Sequence, residues 1–374
     1  MHESEEDLMD GHFDPFRKAA SGWIFHCDAD AFYASCHMAE DTALRKLPVV
    51  VAGDPKSRHG VIVTANYAAR NLGIRTGMTL GTARLLCPEV VAIEPDKPLY
   101  RRYSQALHGI LSQYTINREP LSLDEAWLDM NQVLNFNDDP RPVAAELQSR
   151  IAEMVGISVS IGVSVNKMLA KQISDWNKPG GITLLRHQDI PDKLWPRPIS
   201  ELFGCGPVTA RKMTKLGIVT IGDLAEQGVA EIMHRFGWHG LTLRLRATGD
   251  DNSPVVNPRP EDRRSVSAEH TTAYDMAREE DILGLIGQCA EEVSRHLEQL
   301  GLVGYTLSIK WRTRDFVTHT RQMVSYAALC DTQNIFRLAS RLWAQSGEKK
   351  AIRLAGVSVS RLKQPSQQLR FWDE

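Results

Sequence analysis

The chain has 374 residues, 43% hydrophobic and 24% charged, with a net charge of −2; this is ordinary globular composition, long enough for about two to four domains. No apolar run approaches the ~18 residues of a membrane span. Met1 to Ala20 lacks the basic-then-apolar order of a signal peptide, so no membrane partner and a cytoplasmic location are expected. The six cysteines include no Cys-x-x-Cys, which argues against a zinc ribbon or a disulfide scaffold and leaves them as free, mostly buried thiols.

The small net charge hides a segregation along the chain. Residues 1–20 carry six acids against Arg17 and Lys18 and read as a disordered acidic extension, whereas residues 259–363 hold sixteen Lys or Arg against thirteen acids. Only local placement can turn so small an excess into a nucleic-acid surface.

Trp23 to Asp28 reads as a buried strand, followed by a helix from Ala29 onward that Asp30 is placed to cap. An acid at the end of a buried strand is costly unless it is paired or metal-bound, which makes Asp28 a candidate ligand. Phe32 and Tyr33 just beyond it are either core residues or the floor of a nucleotide pocket. Leu47 to Asp54 is a second buried strand, and Gly60 to Arg70 passes from β-branched strand to helix. A helix starting at Thr64 would set Thr64, Tyr67 and Arg70 along one side, a hydroxyl, a phenol and a guanidinium suited to gripping a polyphosphate. An ordinary amphipathic surface would look the same.

In Leu121-Ser122-Leu123-Asp124-Glu125-Ala126-Trp127-Leu128-Asp129, apolar residues flank two adjacent acids. Strand side chains alternate faces, so Asp124 and Glu125 serve one centre only if the chain turns between them, as at a hairpin tip. With Asp28 they would make three carboxylates, whose hard oxygens select Mg²⁺ or Mn²⁺ over zinc. A solvated turn is the plain alternative.

Val143, Leu147, Ile151, Met154 and Val155 recur at helical spacing, and Ile157, Val159, Ile161 and Val163 alternate as a strand. Together they predict an α+β layer with helices on one face of a mainly antiparallel sheet. Lys167, Lys171 and Lys178 fall nearly on one face of a helix that Pro179 must end, either a solvated stripe or a phosphate-facing one. Ile199 to Ala210, with Gly204 and Gly206, resembles a helix-hairpin-helix element, whose backbone amides approach a DNA phosphate. Gly249 to Pro254, with Pro258 and Pro260, marks a linker. In Thr306 to Arg314, Leu307, Ile309 and Trp311 alternate with Ser308, Lys310, Arg312 and Arg314, which gives a phosphate-binding or merely solubilising sheet face. The last residues, with Gln368, Leu369, Phe371 and Trp372 after a polar spacer, suit a peptide that anchors in a partner's groove; the aromatics folding back is the alternative.

The motifs HCDADAFYAS, TANYAARNLGIRTGM and SLDEAWLD, in this order and spacing, resemble the catalytic core of the Y-family translesion DNA polymerases, in their bacterial branch. The resemblance covers about Trp23 to Leu362. It implies a right-hand polymerase with a palm (21–31 and 96–190), small fingers (32–95) and a helix-hairpin-helix thumb (191–249). A linker (250–262), a little finger of four strands backed by helices (263–362) and a tail (363–374) would follow. It further implies two Mg²⁺ ions, with Mn²⁺ as a substitute, held by Asp28, Asp124, Glu125 and the backbone carbonyl of Ala29. Tyr33 would be the steric gate, and Thr64, Tyr67, Arg70 and Lys178 the triphosphate grip. Expected partners are primed template DNA, deoxynucleoside triphosphates and a sliding clamp held through Gln368, Leu369, Phe371 and Trp372, with the chain a monomer. Proofreading is not expected, because no second carboxylate cluster is legible. A non-catalytic DNA-binding accessory would keep the C-terminal half but could lose the acids. A nucleotidyl cyclase would keep the acids but would not need that half.

Overall fold

The computed structural model describes residues 22–54, 60–259 and 262–365 and divides into two compact units, Met1–Asn257 and Pro258–Glu374. In the first, β1 (Ile24–Ala29) leads into α1 (Phe32–Glu40), followed by β2 (Val49–Ala52), β3 (Ile62–Ala65), α2 (Tyr67–Asn71), α3 (Leu80–Leu86) and β4 (Val91–Ile93). Then come α4 (Lys97–Tyr114), β5 (Arg118–Pro120), β6 (Glu125–Asp129), α5 (Arg141–Val155), β7 (Val159–Ser164), α6 (Lys167–Ser174) and β8 (Ile182–Leu184). The helices α7 (Ile190–Lys193), α8 (Pro207–Thr214), α9 (Ile221–Ala225) and α10 (Val229–Thr248) complete it.

The order β5-β6-β1-β7-β8 puts β1 in the middle of the larger sheet, buried along its whole length. Alternation then sorts its side chains. Phe25 and Cys27 join a core with Tyr100, Leu107 and Leu111 of α4 and Leu147 and Ile151 of α5. His26 and Asp28 point the other way, toward Ser174 and Lys171 of α6. Helices therefore cover both faces, not the one face the sequence predicts. Met154 is 64% exposed and takes no part in the core expected of it.

Helix α6 is the joint of this unit. Met168, Leu169 and Ile173 pack with Leu202, Met213, Ile221, Leu224 and Leu243 of the following helical segment, while Ala170 meets the sheet at Ile24 and Trp127. Gly162 of β7 permits the approach, since a Cβ there would lie 2.0 Å from the Ala170 carbonyl oxygen and 2.8 Å from the Ser174 amide nitrogen. Both are backbone atoms, so α6 itself would have to move. Gly162→Ala is expected to cost about 2 kcal/mol or more, read as a lower urea midpoint. The segment predicted as a free linker is tied down over its first half. Asp251 accepts from the Met168 amide (2.9 Å), Pro254 accepts from Lys167 (3.2 Å), and Val256 donates to Glu119 (3.0 Å).

A second sheet, β3-β2-β4, packs Val50, Ala52, Ile62 and Ala65 against Ala69, Leu80 and Ala83 of α2 and α3. The Asn66 side chain accepts from the Ala69 amide (2.9 Å) and caps α2, so the helix starts at Tyr67 and not at Thr64. Thr64 belongs to β3.

The second unit contains β9 (Ser265–Met276), α11 (Glu279–Leu300), β10 (Gly304–Thr313), β11 (Thr318–Leu329), α12 (Thr332–Ala344) and β12 (Ile352–Ser360). Its antiparallel sheet, β11-β10-β12-β9, is backed by both helices. Leu307, Ile309 and Trp311 are buried with Ile286 and Val293 of α11 and Ile335 and Leu342 of α12, as the alternation requires. The alternation runs to the end of β10, with Thr313 buried in phase with Leu307, Ile309 and Trp311, and Arg314 is exposed just beyond it, its amide on the Ala351 carbonyl (3.0 Å). Among the described residues, all six cysteines are free and five are buried, and no helix is long and apolar enough to cross a membrane.

Candidate active site

The carboxylates meet because two strands pair in one register. Asp28, at the penultimate position of β1, is the direct partner of Glu125, the first residue of β6. The hairpin between β5 and β6 turns at residues 121–124, and the Leu121 amide closes it on the Glu125 carbonyl (3.0 Å). Asp124 is the last residue of this turn, near enough to Asp28 and Glu125 for their charges to act on it. The Ala29 amide donates to the Asp124 carbonyl (3.0 Å), which fixes the turn against the end of β1.

Two lysines face these acids. Lys171 of α6 bonds Glu125 and lies 3.3 Å from Asp28 Oδ2, while Lys178 lies 2.7 Å from Asp28 Oδ1 and 2.8 Å from Asp175. Helix α6 ends at Ser174, so Lys178 sits in the following turn and not on the helical face predicted for the three lysines. Lys167 points elsewhere, to Glu119 (2.7 Å) and over the Trp127 ring. Behind Glu125, His26 is buried with Nδ1 on Ser174 Oγ (3.0 Å) and Nε2 3.3 Å from Glu125 Oε2, an approach too poorly aligned to satisfy the ring nitrogen.

The charges do not balance evenly. Burial works against ionised Glu125, but its polar contacts with His26 and Lys171 outweigh that and hold it at about 2. Burial raises the proton affinity of Asp124, and the fields of Asp28 and Glu125 raise it further against the Ser122 hydroxyl bond. Burial opposes the charge on Lys178, yet Asp28 and Asp175 hold it firmly protonated. Burial also lowers His26, which favours its neutral form.

Asp28 and Glu125 face two ammonium groups within the field of Asp124, and His26, Asp28 and Glu125 can bring ligand atoms within 4.8 Å of one another. The donor set fits a hard divalent cation. The same imbalance has a stability consequence with opposite signs at adjacent residues. A carboxyl depressed on folding, like Glu125, stabilises the fold above its unfolded pKa near 4.5 and loses that contribution as pH falls toward about 2. A carboxyl raised on folding, like Asp124, costs stability once the pH climbs through 3.8 and its folded value. In chelator, Asp124→Asn is therefore expected to melt higher than wild type at pH 7, and Glu125→Gln lower; calorimetry reads both.

Tyr33 of α1 stacks on Tyr100 (centroids 4.0 Å, 13° between planes), and burial raises its phenol with a further push from Asp124. Arg70 lies over the Tyr67 ring (4.8 Å), donates from Nε to the Ala65 carbonyl (2.8 Å), and with Thr64 is half-buried. Gly204 has φ +90° and would clash with Arg246 if it carried a Cβ, while Gly206 caps α8. In the second unit, Lys310 pairs with Glu269 (2.7 Å), Arg312 donates to Thr318 (2.8 Å), and Arg314 is exposed. Gln368, Leu369, Phe371 and Trp372 lie outside the described residues.

Asp30 does not cap α1. The N-cap is Ala31, in the left-handed region at φ 47°, and the Asp30 carboxylate turns inward instead. Sequence reasoning left Lys171 without a role and did not single out His26. Only His26 carried a local signal, since it alternates with Cys27 onto the face of Asp28.

The chain is similar to known proteins along most of its length. Residues 27–175 match the impB/mucB/samB family, 187–218 the IMS family HHH motif, and 263–371 the impB/mucB/samB family C-terminal domain. The chain is 35% identical to DNA polymerase IV of Bacillus anthracis, over 94% of this chain and 85% of that protein. It is 39% identical to DNA polymerase IV of Moorella thermoacetica, over 91% and 85%. Among solved structures, a Y-family DNA polymerase chimera, Dbh-Dpo4(243-245)-Dbh, superposes with a TM-score of 0.81 at 24% identity, covering 91% of this chain and 98% of the other. With the family matched along most of its length and acids clustered on paired central strands, the chain belongs to the Y-family of DNA polymerases, alongside the bacterial enzymes named DNA polymerase IV.

Proposed function

We propose that the chain is a template-directed DNA polymerase of the translesion type, adding deoxynucleotides to a primer 3′ end without proofreading, with Asp28, Asp124 and Glu125 as its catalytic acids. The observation that carries this reading is the register pairing of Asp28 with Glu125, with Asp124 at the adjoining turn and Lys171 and Lys178 against them. The three carboxylates and the Ala29 carbonyl would hold two Mg²⁺ ions, or Mn²⁺ in their place. Such ions, when bound, supply positive charge to the attacking and leaving oxygens of an in-line displacement.

The chain's own groups provide the rest. Lys178 exchanges its Asp28 partner for phosphate oxygens, and Thr64, Tyr67 and Arg70 complete the grip on the triphosphate, Arg70 with a fork of donors. The Tyr33 ring closes the space that a ribose 2′-hydroxyl would need. Gly204 and Gly206 bring the amides at the start of α8 to a DNA phosphate, while Lys310, Arg312 and Arg314 add salt-dependent, sequence-independent affinity.

On this reading the palm, fingers, thumb and little finger take the boundaries expected from the sequence, with the linker's first half strapped to the palm. The enzyme acts as a cytoplasmic monomer on primed template DNA and deoxynucleoside triphosphates. It is tethered to a sliding clamp by Gln368, Leu369, Phe371 and Trp372.

Primer extension tests the proposal. Wild type is expected to extend a primed template with deoxynucleotides and Mg²⁺ and to stop in chelator. Pyrophosphate release without primer would point to a cyclase instead, and binding of primed DNA without extension to an accessory protein.

A further inference from the structure

Asp30 is 2% exposed and lies two residues beyond Asp28, yet no basic side chain among the described residues bonds it. Its two oxygens collect four donors from three separate segments. Oδ2 accepts from Ser158 Oγ (2.6 Å) and the Gly180 amide (2.8 Å), and Oδ1 from Ser160 Oγ (2.8 Å) and the Tyr67 hydroxyl (3.4 Å). Its backbone is fixed as well, with its amide on the Ser158 carbonyl (2.9 Å) and its carbonyl bonded by Ser35 Oγ (2.5 Å). A buried carboxylate without a cation is tolerable only when its lone pairs are filled, and here they are.

The three segments are the start of β7, the turn that carries Lys178 two residues before Gly180, and the first residue of α2. Lys178 and Tyr67 come from elements with no strand pairing to each other. Asp30 is the group that joins them, and the Tyr67 phenol, raised to about 12 by burial first and by Asp30 second, remains a hydroxyl donor throughout the neutral range. We propose that Asp30 is a positioning residue that sets the Lys178 turn and Tyr67 at a fixed distance from the β1 carboxylate, so that the triphosphate grip exists before the nucleotide arrives.

The chemistry of the donors makes the role specific. Three of the four are hydroxyls, which can reverse from donor to acceptor, and one is a backbone amide, which cannot. An asparagine with its oxygen toward Gly180 and Ser158 would donate its amide to Ser160 and Tyr67, and so would keep the junction without the charge. An alanine would release all three segments. Displacements near 1 Å in a binding constellation cost up to about a hundredfold.

The inference rests on the polymerase reading, and steady-state extension of a primed template separates the two. Asp30→Ala is expected to raise the KM for deoxynucleotide about tenfold or more, with the affinity for primed DNA held within about twofold. Asp30→Asn should return KM to within about threefold of wild type. An Asp30→Ala enzyme with unchanged KM overturns the inference, as does an Asp30→Asn enzyme as impaired as the alanine variant, which would mean that the charge is what matters. If Asp30→Ala does not fold, Ser158→Ala, which removes one donor, should raise KM about threefold, and an unchanged KM again overturns it. Wild type that binds primed DNA but never extends it defeats the polymerase reading itself.

Discussion

Replacing Asp28 with Asn is expected to lower primer extension at least about a thousandfold while leaving the affinity for primed DNA within a few-fold of wild type. The size follows from what Asp28 touches. It is the acid paired in register with Glu125, and both lysines lie against it, Lys178 at 2.7 Å and Lys171 at 3.3 Å. Asn keeps the volume and one acceptor but removes the charge that a divalent cation requires, and it leaves the two ammonium groups facing one carboxylate fewer. The strand itself is held by neighbours on both sides and by Phe25 and Cys27 on the far face, so the substitution should not unfold it. Loss of extension together with loss of DNA binding and of the melting transition would mean that Asp28 is a structural acid.

Tyr33→Ala is expected to raise ribonucleotide incorporation about a hundredfold relative to deoxynucleotide, with deoxynucleotide incorporation falling less than about tenfold. Exclusion by a ring works only if the ring cannot swing away. Tyr33 is stacked on Tyr100, which is itself buried and bonded through its hydroxyl to His37 Nε2 (2.9 Å). Removing the ring opens space for a 2′-hydroxyl without touching the carboxylates. Competition between a ribonucleotide and its deoxy counterpart on one template base reads the ratio directly, and an unchanged ratio removes the gate from Tyr33.

What the sequence made legible was whatever depends on local alternation. Asp28 near the end of a buried strand and the inward row of Leu307, Ile309 and Trp311 both follow from a period of two, and the structure has them so. What stayed hidden depends on which strand lies beside which. Lys171 is an ordinary helix lysine until the β1–β6 register puts Asp28 and Glu125 under it, and nothing local announces that α6 covers the second face of the sheet. Asp30 looked like a cap because a helix follows it; Ala31 takes the left-handed conformation instead and sends the carboxylate toward Ser158 and Gly180. One error was avoidable, since Asn66 is a strong N-cap residue and moves the start of α2 past Thr64.

The central claim is that the Asp124-Glu125 turn, paired with Asp28, is the catalytic centre. Its most direct test is extension of a primed template with deoxynucleotides and Mg²⁺ by wild type and by Asp124→Asn/Glu125→Gln. Extension by wild type, with none by the double variant although it still binds the DNA, is the predicted result. Extension that survives in the double variant would contradict the assignment and place the chemistry elsewhere in the chain.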